Sequence, residues 1–211
     1  QPQYELKYFT DPNLPQGYSR FRIRRARIRF SGKAAQEKVT WRLQFDLSGS
    51  NEAEGAAESF LFDAWIGYNF TKNIRVRVGQ KNTPTDNREL LMRSHTLQLV
   101  ERSRVTSAFS SIREFGIFLD GTFNTGGSTR LRPSIAITNG DGLNVYNPDF
   151  GGLKYGGRID FLPFGTFVNL GQYHQVDMMR ELTPKLVIGA AYSVPVPAFQ
   201  LACCDGSTAD G

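Results

Sequence analysis

Apolar and polar side chains alternate one by one along several segments of this 211-residue chain. From Val39 onward, residues 39–47 place an apolar side chain at every second position and polar ones between them. The same pattern returns over residues 62–70, 74–79, 114–123, 130–138 and 154–161. A period of two is typical of β-strands whose two faces meet different surroundings. The pattern therefore predicts an all-β protein.

Three further segments carry a weaker form of the pattern. Residues 20–30 alternate with a slip of phase near Arg25, which is typical of a β-bulge. Residues 3–9 and 185–194 alternate near the two ends of the chain. Together the segments predict about nine strands and no long amphipathic helix. Residues 166–184 have no assignment.

The connections between the predicted strands alternate in length. Short connections are predicted at residues 31–38, 71–73, 124–128 and 163–165, and long ones at 10–19, 48–59, 82–112 and 139–152. Outer-membrane β-barrels have short turns at one rim, longer loops at the other, and aromatic side chains at the membrane interfaces. Aromatic residues cluster on the short-turn side: Phe30, Trp41, Tyr68, Phe70, Phe123, Phe161 and Phe164. We therefore expect a transmembrane antiparallel β-barrel in the bacterial outer membrane.

A soluble antiparallel sandwich or a lipocalin-like barrel is the alternative, because its strands also alternate. In that case the apolar faces would pack in a core and the arginines would form solvated surface. The predicted strands are longer than the roughly five or six residues usual in soluble proteins. Glycines and small residues lie among the charges of the polar face, which suits a crowded concave wall. Both features favour the membrane barrel.

Several stretches resemble, in order, the phosphate-selective porin O/P family. They are RRARIRFSGK from Arg24, WRLQFDLSG from Trp41, DAWIGYNF from Asp63, IRVRVGQKNTP from Ile74, LVERS from Leu99, ITNGDG from Ile137, GGRIDFLPFG from Gly156 and KLVIGAAYS from Lys185. The resemblance implies a sixteen-stranded, trimeric porin. It also implies that residues 1–211 form a single porin-like domain that is incomplete at its C-terminal end.

The polar faces carry more bases than acids. If the apolar faces meet lipid, the lumen receives Arg22, Arg24, Arg27, Arg29, Arg42, Arg75, Arg77, Lys81, Arg130, Arg132, Lys154 and Arg158. The acids of the same faces are Asp46, Asp63, Glu114, Asp120 and Asp160. Rings of arginine or lysine select anions, and the guanidinium fork donates paired hydrogen bonds to oxyanions. That these arginines pair with the acids and stiffen the wall is the open alternative.

Residues 82–112 are too long for a simple connection. Leu90, Leu91, Leu97 and Leu99 need a surface to pack on. The resemblance implies that this loop folds into the lumen and narrows the pore with Arg88, Arg93, Arg102 and Arg104. An external loop is the alternative.

Other classes of function find little support. His95 and His174 are the only histidines, and neither has a recognisable spacing from a nucleophile. Cys203 and Cys204 are adjacent and make a poor metal site, so we expect no enzyme, metal or cofactor. The basic face is the concave one, which argues against nucleic acid. We expect passive conduction of small anions, phosphate among them, by a homotrimer or larger assembly in outer-membrane lipid. An outer-membrane structural or assembly component built on a porin frame is the alternative.

Overall fold

The computed structural model describes residues 2–8, 17–23, 25–47, 61–85, 88–99, 102–103, 106, 113–142 and 152–196. These residues form eleven strands: β1 (Pro2–Tyr8), β2 (Gly17–Ile23), β3 (Arg27–Ala34), β4 (Val39–Asp46), β5 (Leu61–Asn69), β6 (Ile74–Lys81), β7 (Glu114–Gly121), β8 (Phe123–Gly126), β9 (Thr129–Thr138), β10 (Lys154–Leu162) and β11 (Ile188–Pro195). Short 3₁₀ helices occupy Arg88–Leu91 and Val168–Tyr173. The predicted all-β class is confirmed.

The strands form two antiparallel sheets. β1 pairs with β2 alone. The other nine strands form one sheet in the order β3-β4-β5-β6-β7-β9-β10-β11, with β8 beside β9. Because spatial neighbours follow one another along the chain, the larger sheet is an up-and-down meander.

The described strands number eleven where the alternation predicted about nine. Two predicted strands are each divided. The predicted strand 20–30 breaks between β2 and β3, and its halves belong to different sheets, so the slip near Arg25 is a break rather than a bulge within one strand. The predicted strand 114–123 is interrupted at Thr122, where β7 ends and β8 begins.

The larger sheet has an apolar face that no other part of the described chain covers. Ile66, Ile117 and Ile135 are 57%, 51% and 51% exposed on three different strands. On the opposite face, which we call the inner face, Asp63 and Glu114 are only 4% and 1% exposed. A water-soluble sheet buries its apolar face and exposes the polar one. The inverse arrangement contradicts the soluble sandwich and agrees with strands that face lipid.

The predicted aromatic cluster lies at the short-turn end of the apolar face. All seven residues are exposed there: Phe30, Trp41, Tyr68, Phe70, Phe123, Phe161 and Phe164. The rings of Tyr68 and Phe70 are in edge contact, with their centroids 5.0 Å apart. Aromatic rings at this level suit a membrane–water interface, where one side of the ring meets lipid and the other meets water.

Phe62 lies on the inner face, although the alternation predicts it on the apolar face. Phe45 pairs with Leu61 and Gln44 pairs with Asp63, so a register shift leaves Phe62 without a partner on β4. Its side chain is 1% exposed and lies under two guanidinium groups. The central carbons of Arg27 and Arg113 are 3.9 and 3.3 Å from the ring centroid. The prediction was wrong here because a bulge reverses the phase of a strand.

The predicted short turn at residues 163–165 is only the start of a longer connection. β10 ends at Leu162 and β11 begins at Ile188, and the 3₁₀ helix Val168–Tyr173 lies between them. We call residues 163–187 the β10–β11 connection. Gly165, with a φ of 84°, adopts the left-handed conformation in the turn that follows β10. Residues 166–184 show no alternation, so nothing in the local sequence indicated where they lie.

Candidate functional site

Strand register brings ten of the predicted pore-lining cations onto the inner face. They are Arg27, Arg29, Arg42, Arg75, Arg77, Lys81, Arg130, Arg132, Lys154 and Arg158. The side chain of Arg22 and all of Arg24 lie outside the described residues. The alternation thus assigned these cations to one face correctly, and their role as pore lining remains a prediction.

Each of the five predicted acids of this face has a cationic partner. Arg27 Nε lies 2.8 Å from Asp46 Oδ2, Arg113 Nε lies 2.7 Å from Asp63 Oδ1, and Arg42 is a more distant partner of Asp63 at 3.7 Å. The remaining pairs join Arg77 to Asp120, Lys154 to Glu114 and Arg158 to Asp160. The alternative, in which the arginines pair with the acids and stiffen the wall, therefore holds for part of these cations.

Other cations of the inner face have no acidic partner among the described residues. Arg29, Arg75, Arg130 and Arg132 form no ion pair there. The buried Nε atoms of Arg75 and Arg132 also lack a hydrogen-bond acceptor in this part of the chain. Buried polar groups are normally hydrogen-bonded. These two enclosed Nε groups are exceptions to that rule within the described residues.

An indole ring separates two of the arginines. Trp65 is on the inner face, and the guanidinium carbons of Arg42 and Arg77 lie 5.3 and 5.4 Å from its ring centroid. A guanidinium near an aromatic face is attracted by the ring quadrupole. Trp65 therefore positions cations that would otherwise repel one another. The alternation placed Trp65 in the polar phase of its strand but gave no sign of this role.

Lys81 is almost fully buried beneath the loop that follows β6. It is 3% exposed, its Nζ lies 4.1 Å from the ring centroid of Phe118, and it donates to the carbonyl of Asn82 at 2.9 Å. Phe118 is itself wholly buried. Lys81 therefore lies in the packed wall beneath the loop, where few solutes can reach it.

The loop between β6 and β7, which we call the long loop (residues 82–113), lies against the inner face in its described parts. Thr85 contacts Gly156 of β10, where a Cβ would be only 2.3 Å from Thr85 Oγ1. At the other side of the sheet, Arg27 Nη1 donates to Ser94 Oγ at 3.1 Å. The loop thus reaches both β10 and β3 across the inner face. This placement agrees with the inward fold and disagrees with an external loop.

The predicted loop arginines divide by what they bind. Arg102 donates to the carbonyl oxygens of Met92, at 2.9 Å, and of Glu89, so it holds the loop together. Arg88 Nη2 donates to the carbonyl of Gln172 at 2.9 Å. Arg93 is half-buried, and its backbone N–H donates to the carbonyl of Tyr173 at 3.0 Å. Arg104 lies outside the described residues.

Glu89 is the acceptor around which the loop closes. Ser103 donates to it through its backbone N–H at 3.0 Å and through its hydroxyl at 2.6 Å, and Thr106 also donates. Burial alone would raise the pKa of Glu89, but the hydrogen bonds from Ser103 and Thr106 outweigh it and hold that pKa below its ordinary value. Glu89 is therefore a stable anion within the loop.

The chain has the features of a porin wall: long antiparallel strands, an exposed apolar face, a cationic inner face and a loop folded over it. None of the helices in the described ranges is long and apolar enough to span a membrane. The same ranges contain no group of His, Cys, Asp and Glu side chains suited to a metal ion.

The model of the family of phosphate-selective porins O and P matches residues 3–163. The chain belongs to this family, whose members are channels of the bacterial outer membrane. No curated protein and no solved structure matches the chain.

Proposed function

We propose that this protein conducts small anions passively across the outer membrane, through a lumen lined by its inner face. The observation that supports this is the excess of cations on the inner face: within the described residues, Arg29, Arg75, Arg130 and Arg132 form no ion pair after each predicted acid has a partner. Such cations attract anions and repel other cations along the path of an ion.

Conduction requires that the sheet closes. In the described part of the chain, β3 and β11 are the edges of the larger sheet. A lipid bilayer offers no hydrogen-bond partner to an open strand edge. We therefore propose that further strands close it into a sixteen-stranded barrel that assembles as a trimer, as the resemblance implies. Chemical cross-linking of the protein in native outer membranes tests the trimer, because it yields a ladder that ends at three subunits.

The reversal potential in planar bilayers tests the selectivity. With KCl at different concentrations on the two sides, an anion-selective pore gives a reversal potential with the sign of the chloride equilibrium potential. A reversal potential with the sign of the potassium equilibrium potential would contradict the proposal. Complete absence of conductance in correctly assembled protein would favour the structural or assembly component instead.

Phosphate is the more specific part of the proposal. Guanidinium groups donate paired hydrogen bonds to the oxygens of phosphate, and hydrogen phosphate carries two negative charges where chloride and nitrate carry one, so a cationic wall attracts it more strongly. Adding phosphate to a chloride-conducting channel should therefore block the chloride current at concentrations where nitrate does not. Equal block by both anions would limit the function to anions in general.

A further inference from the structure

The β10–β11 connection reaches the long loop from the opposite end of the sheet. The long loop begins after Lys81, at the end of β6 that lies opposite the short turn at residues 71–73. The connection begins after Leu162, whose partner on β9 is Arg130, close to the hairpin between β8 and β9. The two segments therefore start near opposite rims and meet in front of the inner face.

Three hydrogen bonds join the two segments. Two run from main chain to main chain, and one runs from a side chain to a main-chain carbonyl. The N–H of Arg93 donates to the carbonyl of Tyr173 at 3.0 Å, and the N–H of Gln175 donates to that of Thr96 at 3.2 Å. Arg88 Nη2 donates to the carbonyl of Gln172 at 2.9 Å. Thr96 and Gln172 are 3% and 5% exposed. The contact is therefore a packed interface rather than a chance approach of two surface loops.

The side chain of Gln175 joins the β10–β11 connection to two separate points of the long loop. Gln175 Nε2 donates to Glu89 Oε1 at 3.1 Å, and Gln175 Oε1 accepts from the N–H of Gln98 at 2.8 Å. Glu89 lies within the loop's 3₁₀ helix, Arg88–Leu91, and Gln98 lies beyond it, so Gln175 binds the folded loop at two separate places. We call these two hydrogen bonds the Gln175 contact.

The loop is thereby held between the wall and the connection. Its wall contacts are at Gly156 on β10 and Arg27 on β3, and the connection lies on its other flank. A solute that moves along the inner face must pass both segments. Loss of the Gln175 contact would remove two of the hydrogen bonds on this flank of the loop and leave the wall contacts in place.

We infer that the β10–β11 connection is a second pore-narrowing element, and that Gln175 is a positioning residue that holds the long loop in its constricting position. This inference rests on the proposed pore function. The width of the pore would then depend on two segments, the long loop from one rim and the β10–β11 connection from the other.

The test uses the full chain with a substitution and its compensating swap. Gln175→Glu places a second carboxylate against Glu89, and the two repel each other. The double variant Glu89→Gln with Gln175→Glu restores one donor and one acceptor between these two side chains, but it also removes one of the oxygens that accept from Ser103 and Thr106, so we expect partial recovery. Gln98→Ala is the matched control, because that side chain is exposed and only its backbone N–H takes part in the contact.

Hydrogen–deuterium exchange and single-channel conductance are measured on each variant. In Gln175→Glu we expect exchange within residues 88–99 to rise about tenfold, because local opening no longer breaks the Gln175 contact. We expect conductance and open-channel noise to rise with it. The swap should return exchange and conductance toward wild type, and the control should match wild type. Gln175→Ala serves if the glutamate variant does not assemble.

Three outcomes overturn the inference. Unchanged exchange in Gln175→Glu and Gln175→Ala means that the contact does not hold the loop. Faster exchange with unchanged conductance and noise means that the held loop does not narrow the pore. Absence of conductance in every variant, wild type included, overturns the pore function and this inference with it, while the exchange data still report whether the two segments interact.

Discussion

Replacing Arg75, Arg130 and Arg132 with glutamine removes cations that have no acidic partner among the described residues. At about 8 Å from the centre of a water-filled path, one unit charge contributes ~0.5 kcal/mol to the energy of a monovalent ion, and salt screening reduces this to about 0.2 kcal/mol. Three charges then raise the anion's energy by about 0.6 kcal/mol and lower a cation's equally. The anion-to-cation permeability ratio should fall about tenfold.

The reversal potential in a KCl gradient measures that ratio directly. Lys33, Lys38 and Lys72 provide a control with the same loss of charge, because they are exposed at the short turns. Their replacement by glutamine should change the ratio by less than about twofold, since bulk salt screens rim charges. A change below twofold in the arginine variant, or an equal change in the lysine variant, would refute the assignment of selectivity to the inner face. Assembly should be unaffected, because the three arginines break no ion pair when removed.

Three further predictions concern the long loop. Replacing residues 89–104 with a short glycine linker should raise conductance and weaken discrimination among anions, and an unchanged conductance would place the loop outside the ion path. Gly156→Val should displace the loop and raise single-channel noise, because a Cβ there would be 2.3 Å from Thr85 Oγ1, whereas Gly157→Val has open space and should behave as wild type. The lowered pKa of Glu89 means that its hydrogen bonds stabilise the loop above the ordinary glutamate pKa and are lost only as pH falls through the lower folded value. Loop hydrogen exchange, corrected for its intrinsic pH dependence, should therefore stay constant from pH 7 to about 5, and a rise already within that range would contradict this sign.

The alternation alone determined most of the sheet. Side chains of successive strand residues point to opposite faces, so the phase of one segment assigns every residue in it. Trp41, Ile66 and Ile117 are exposed on the apolar face as this rule requires, and the cations of β3 to β10 share the other face.

Local phase failed where a residue was inserted. Phe62 follows the apolar phase of its own strand, yet the register shift against β4 turns it inward beneath Arg27 and Arg113. A bulge is a property of two paired strands, and the sequence of either strand alone does not contain it. The same limit applied to the ion pairs, since which arginine meets Asp63 or Asp120 depends on register between strands.

The sequence by itself determined the class of fold, the two faces of the sheet and the family, because each depends on residue order within short segments. Only the tertiary structure decided which cations have a carboxylate partner among the described residues, and how the long loop and the β10–β11 connection lie against each other. Gln175 and Glu89 are far apart in the chain and neither segment has a repeating pattern. Their hydrogen bond follows from the folded sheet, which brings segments from its two opposite rims into contact.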